Sequence, residues 1–120
     1  MKYVILCVIS VFTALISAAE AKCVHKPTVW SFGETTTDSI ATDGGPCVIR
    51  RPYTGRKIHI LAARIVSQPS HGSIKISGRA TFTYRPADGF KGQDQFIYKY
   101  IGTNGLTPGS VTIRTDVTVN

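Results

Sequence analysis

Residues 81–100 read TFTYRPADGFKGQDQFIYKY, and their spacing decides the fold. Phe82 and Tyr84 alternate with Thr81, Thr83 and Arg85, and Phe96, Tyr98 and Tyr100 stand at alternate positions farther on. An apolar residue at every second place marks a strand with one face buried. Between the two runs lie Pro86-Ala87-Asp88-Gly89 and Gly92, where glycine supplies positive φ and Asp bonds its own backbone. The gap is too short for a crossover helix, so the two strands run antiparallel.

Working outward, the same period recurs. Val111, Ile113, Thr115, Val117 and Val119 alternate with Thr112, Arg114, Asp116 and Thr118, and Ile74 and Ile76 flank Lys75. Turn signals separate these runs at Pro69-Ser70-His71-Gly72, Ser77-Gly78, Gly102-Thr103-Asn104-Gly105 and Pro108-Gly109. No stretch carries apolar residues at i, i+3 and i+4 over three turns, so no helix is expected. The segment Ile58 to Val66 is apolar on both parities apart from His59 and Arg64. That pattern suits a central strand covered on both sides, or one carrying a bulge. Farther toward the start, Thr28 to Phe32 is compatible with a strand bringing Trp30 into the core. Gly33 to Pro46, rich in Thr, Asp and Gly, reads as a long loop tied down by Cys47. The sum is an all-β chain of about seven short antiparallel strands, and its size favours a sandwich.

The first 21 residues stand apart. Met1-Lys2 is a basic start, Tyr3 to Ile16 is apolar apart from Ser10 and Thr13, and Ala19-Glu20-Ala21 supplies an A-x-A site. These are the parts of a secretory signal peptide at 1–21, leaving one domain at 22–120. The apolar run falls short of the roughly 20 residues a spanning helix needs, so no membrane span is expected after its removal. A lipoprotein cysteine would follow a small residue, whereas Lys22 precedes Cys23. Cys7 departs with the signal, and Cys23 and Cys47 remain. Two cysteines in an exported chain usually form a disulfide. A metal or redox pair is the competing reading, but there is no C-x-x-C and no histidine at ligand spacing from both. Export places the chain in the periplasm or outside the cell.

The chain has 14 Lys and Arg against 7 Asp and Glu, a net charge of +7, and loss of Lys2 and Glu20 leaves that net charge unchanged. Such a surface favours acidic partners. Arg50, Arg51, Arg56, Lys57 and Arg64 fall close together, with Tyr53 among them. They form either a charged strand edge that deters sheet-to-sheet pairing or a patch for phosphate and carboxylate polymers, where arginine forks add geometry to charge. An exported protein meets anionic cell-envelope polymers and other envelope proteins; nucleic acid is not an expected partner.

From Pro69 to Val119 the chain resembles the bacterial immunoglobulin-like (cadherin-like) modules of surface and secreted proteins. The residues that carry the likeness are Pro69-x-His71-Gly72, followed by Phe82-x-Tyr84-x-Pro86-x-x-Gly89-Phe90-x-Gly92-x-Asp94-x-Phe96-x-Tyr98 and the closing Val/Thr-rich strand. Within the motif, Asp94 just past the turn is suited to accept backbone N–H groups as a structural clip. The resemblance implies a structural or binding role without a reaction, in a family whose modules usually recur in tandem in long adhesins. This chain departs from that pattern in carrying one copy, a cysteine pair outside the motif, and few carboxylates.

Other chemistry finds little support. Glu34, Asp38, Asp43, Asp88, Asp94 and Asp116 are scattered, without the D-x-D runs of a calcium loop. His25, His59 and His71 are not spaced as metal pairs, and no G-x-S-x-G elbow is present. No cofactor or metal and no enzymatic activity are expected. Two functions remain: an envelope module, and a small secreted effector or inhibitor presenting the 33–46 loop to a protein target.

Overall fold

The computed structural model describes residues 22–50, 58–78 and 80–120. The expected signal peptide lies outside the described residues, as do Arg51, Arg56 and Lys57. Eight strands follow one another: β1 (Cys23–Lys26), β2 (Thr35–Thr42), β3 (Cys47–Ile49), β4 (His59–Ser67), β5 (Gly72–Ser77), β6 (Thr81–Pro86), β7 (Gly92–Thr103) and β8 (Pro108–Val119). They form a five-stranded sheet in the order β1-β2-β8-β7-β4 and a three-stranded sheet in the order β3-β6-β5. The protein is an all-β, immunoglobulin-like sandwich, as the alternation predicts.

The core is the stack of inward rings between the sheets. Phe82 and Tyr84 of β6 face Phe96, Tyr98 and Tyr100 of β7, and all five are essentially inaccessible. Ring centroids are 4.3 Å apart for Phe82 and Tyr98 and 5.8 Å apart for Tyr84 and Phe96. Burying each ring contributes about 2–3 kcal/mol of transfer free energy, and tilted or offset ring pairs add roughly 1 kcal/mol. Val111, Ile113, Thr115, Val117 and Val119 of β8 complete the floor, each buried, at the places their period of two assigns.

Four expectations for the remaining segments change. Residues 33–46 are not a long loop, because β2 occupies Thr35–Thr42. Its inward side carries Thr36, Asp38, Ile40 and Thr42, so three of four inward positions are polar and the alternation in burial leaves little trace in hydropathy. Nor are all neighbours antiparallel. β2 runs parallel to β8, from Thr35 opposite Thr112 to Thr42 opposite Val119. A parallel pair needs a long crossover, and here the intervening strands supply it. Thr28 to Phe32 is no strand, although Trp30 does reach the core, 6% exposed, between Phe32 and Tyr100. Finally, β4 is at the edge of the large sheet rather than its centre. Its apolar residues on both parities reflect two register shifts, between Ile60 and Ala62 and between Ile65 and Ser67, which leave Leu61 and Val66 exposed. The bulge reading of that segment is the one realised.

Cys23 and Cys47 form a disulfide with a Cα–Cα distance of 5.3 Å. It links β1 of the large sheet to β3 of the small one, closing the sandwich where the chain enters it.

Candidate functional site

Of the basic residues that lie together in sequence, the described ones are Arg50 and Arg64, and these two stand on different sheets. Arg50 follows β3 in the small sheet, and Arg64 stands exposed on β4 in the large one, opposite Lys99 of β7. A different basic surface emerges on the outer face of the three-stranded sheet. Lys75 and Val48 both flank Thr83, and Ser73 lies opposite Arg85. Lys75, Arg85 and Val48 are exposed, and none of the three strands contains a carboxylate. The reason lies partly elsewhere in the fold. Asp38 and Asp94 are buried, 7% and 8% exposed, so only four of the six carboxylates after residue 21 remain to offset surface cations.

Asp94 is the clip its position suggests. Its carboxylate accepts from the backbone N–H of Ser70 (3.0 Å), His71 (3.2 Å) and Gln95 (2.9 Å) and from the Tyr84 hydroxyl (2.7 Å). Bonds to a charged acceptor are worth about 1.5–3 kcal/mol each, and leaving such buried donors unpaired costs a similar amount. Burial first, then the bond to Asp94 and its charge, push the Tyr84 hydroxyl well above the usual phenol range. The clip ties the β4–β5 connection to β7. A second stitch joins the β6–β7 connection to it: Ala87 N–H donates to the His71 carbonyl at 2.8 Å, and Phe90 stacks on the His71 ring at 4.3 Å. Gly89 and Gly92 take positive φ, 75° and 134°, which lets this connection turn back so tightly. Pro69 is buried and Gly72 is crowded, since a Cβ there would run into the Arg85 carbonyl. The contacts shown for Pro69, Gly72, Tyr84, Phe90 and Asp94 are thus with the fold itself.

Beside the clip, a groove of about 520 Å³ is lined by Ser67, Gln68, Gln93 and Gln95 together with Asp94 and Asp116. Sequence reasoning did not single out this groove, because its walls come from segments far apart in the chain.

It also missed a buried polar network on Asp38. His25 Nε2 lies 2.8 Å from Asp38 Oδ2, the Tyr98 hydroxyl donates to the same oxygen at 3.3 Å, and the Thr115 hydroxyl donates to Oδ1 at 2.5 Å. Burial, followed by the nearby charge of Asp38, drives the Tyr98 hydroxyl far above its ordinary range. The network joins β1, β2, β7 and β8. Its signal was available in Asp38 and Ile40 sharing one parity, but only to a reading that already made 35–42 a strand.

The histidines do not converge: His25 sits on Asp38, His71 on Phe90, and His59 at the exposed start of β4. Among the described residues, no three His, Cys, Asp or Glu are grouped to hold a metal, and no helix is long and apolar enough to cross a membrane.

Fold and site thus define a class: a two-sheet immunoglobulin-like sandwich whose two buried carboxylates, Asp38 and Asp94, hold strands and connections together. Within that class, the family model described as bacterial Ig domain matches residues 34–118, and the chain belongs to that family. The match starts earlier than the motif that carries the resemblance and takes in β2, the strand that the sequence disguises as a loop. No curated protein matches the chain. Membership makes the protein a structural or binding module.

Proposed function

We propose that the protein is an exported, non-catalytic module of the cell envelope that contacts anionic polymers through the outer face of its three-stranded sheet. One observation carries the reading: Lys75 and Arg85 stand exposed on a strand surface without carboxylates, and Arg50 extends the same sheet. Two further features support it. The family's modules are generally non-catalytic, and a disulfide suits an extracytoplasmic compartment. The described portion of the alternative effector reading loses its presenting element, because most of 33–46 is strand β2, paired with β1 and β8 rather than projecting.

The test is co-sedimentation of the purified protein with cell envelopes at low and at physiological salt. Retention at low salt that weakens at physiological salt is expected, since exposed charge contacts beyond about 8 Å are screened there. The double variant Lys75→Glu, Arg85→Glu should abolish retention while its circular dichroism stays unchanged. Retention that ignores both salt and the charge reversal would discard the basic face as the contact.

A further inference from the structure

The groove beside Asp94 differs from the basic face in chemistry as well as position. β4 leaves β7 at the pairing of Ser67 with Ile97, so β7 from Gly92 to Phe96 is paired by β8 on one side only. Gln95 N–H turns to the open side, where the Asp94 carboxylate takes it. Because backbone groups alternate along a strand, the Gln95 carbonyl and both backbone groups of Gln93 face the same open flank. The side chains around that flank are the amides of Gln68, Gln93 and Gln95, the hydroxyls of Ser67 and Ser70, and the Asp116 carboxylate, with no Lys or Arg among them.

We propose that this groove binds a neutral saccharide chain. Three features set that ligand class. Amides and hydroxyls offer donors and acceptors side by side, which matches sugar hydroxyls that both donate and accept. Two carboxylates without a cation in the lining disfavour an anionic polymer. An open, polar depression suits a chain laid across it, whereas small apolar ligands take enclosed apolar pockets. His71 adds a flat wall. Its exposed ring lies within 3° of parallel to Phe90 and separates the groove from a second depression of about 450 Å³ beyond Ser70 and His71. A planar ring held in this way is a platform for the C–H face of a pyranose. The walls are also set before any ligand arrives, since Asp94 holds the Ser70 and His71 amides and Ala87 bonds the His71 carbonyl. Preorganisation of this kind lowers the ordering cost of binding.

The experiment is an amide ¹H–¹⁵N titration of the purified protein with maltohexaose, cellohexaose and chitohexaose, and with polygalacturonate as the anionic counterpart. At least one neutral hexasaccharide should shift the amides of 67–71 and 93–95 saturably at up to about 10 mM, a range that corresponds to weak single-site binding. The shifts should persist at high salt. Gln95→Ala should weaken them at least about tenfold, a loss of roughly 1.4 kcal/mol, with the melting temperature unchanged. The proposal is overturned if all three neutral chains leave these amides in place, or if polygalacturonate alone moves them. Because the groove lies on the large sheet, its failure would leave the salt-sensitive contact of the small sheet standing, and the reverse also holds.

Discussion

Tyr98 shows at the scale of one residue how this small domain uses a buried polar group. Its ring belongs to the inter-sheet stack, while its hydroxyl reaches Asp38 beside Thr115 and His25. Replacing it with Phe should cost about 1.5–3 kcal/mol, the worth of a hydrogen bond to a carboxylate, with the shape of the core retained. The same residue predicts an alkaline limit. Tyr84 and Tyr98 are both held protonated well above the ordinary phenol range. In the unfolded chain these groups lose their protons near pH 10. Above about pH 10 the unfolded state therefore binds fewer protons than the native one, and stability falls as pH rises; below it this contribution is fully present. Melting temperatures between pH 8 and 11.5 should decline past about pH 10, and Tyr98→Phe should make the decline shallower. An equal decline in both proteins would refute the assignment.

Among the elements, those with a regular alternation were legible and those with polar or doubly apolar patterns were not. β6, β7 and β8 announce themselves because apolar residues recur at every second place, with glycine-bearing turns between them. Asp94 was legible for the same reason, being fixed between a turn and a strand. β2 was not, because Thr36, Asp38 and Thr42 point inward: Asp38 is satisfied by groups from β1, β7 and β8, Thr36 bonds the Thr28 hydroxyl, and Thr42 bonds the Gly45 carbonyl. β4 misled in the other direction, as bulges let apolar residues occupy both parities on an edge strand. The groove needed the end of that edge strand, which no local pattern gives. β4 and β7 approach so closely at Gly102 that a Cβ there would meet the His59 carbonyl and lie 3.2 Å from the Ile60 Cα. Gly102→Ala should therefore cost about 1–3 kcal/mol, as overpacking does, and thermal unfolding would measure it. A variant as stable as the parent would mean that β4 yields freely at its start.

For the whole molecule, the disulfide and the burial of two carboxylates shape what the outside world meets. The Cys23–Cys47 bridge closes a separation of 24 residues, for which the chain-entropy view assigns about 3 kcal/mol. In a domain of about 100 residues that is a large share of net stability, commonly 5–15 kcal/mol. Denaturant unfolding of Cys23→Ser, Cys47→Ser should show a loss of this order and reveal whether the sandwich persists without it. A midpoint that does not move would assign the bridge no part in stability. The parallel pairing of β2 with β8 has a further consequence, one of timing. Residues 35–42 lack one of their two partner strands until residues 112–119 are available. Until then the early segment can pair only with β1, along Ser39 to Thr42. Contacts so distant in sequence also make closure slow, on the scale of milliseconds to seconds for sandwiches of this kind.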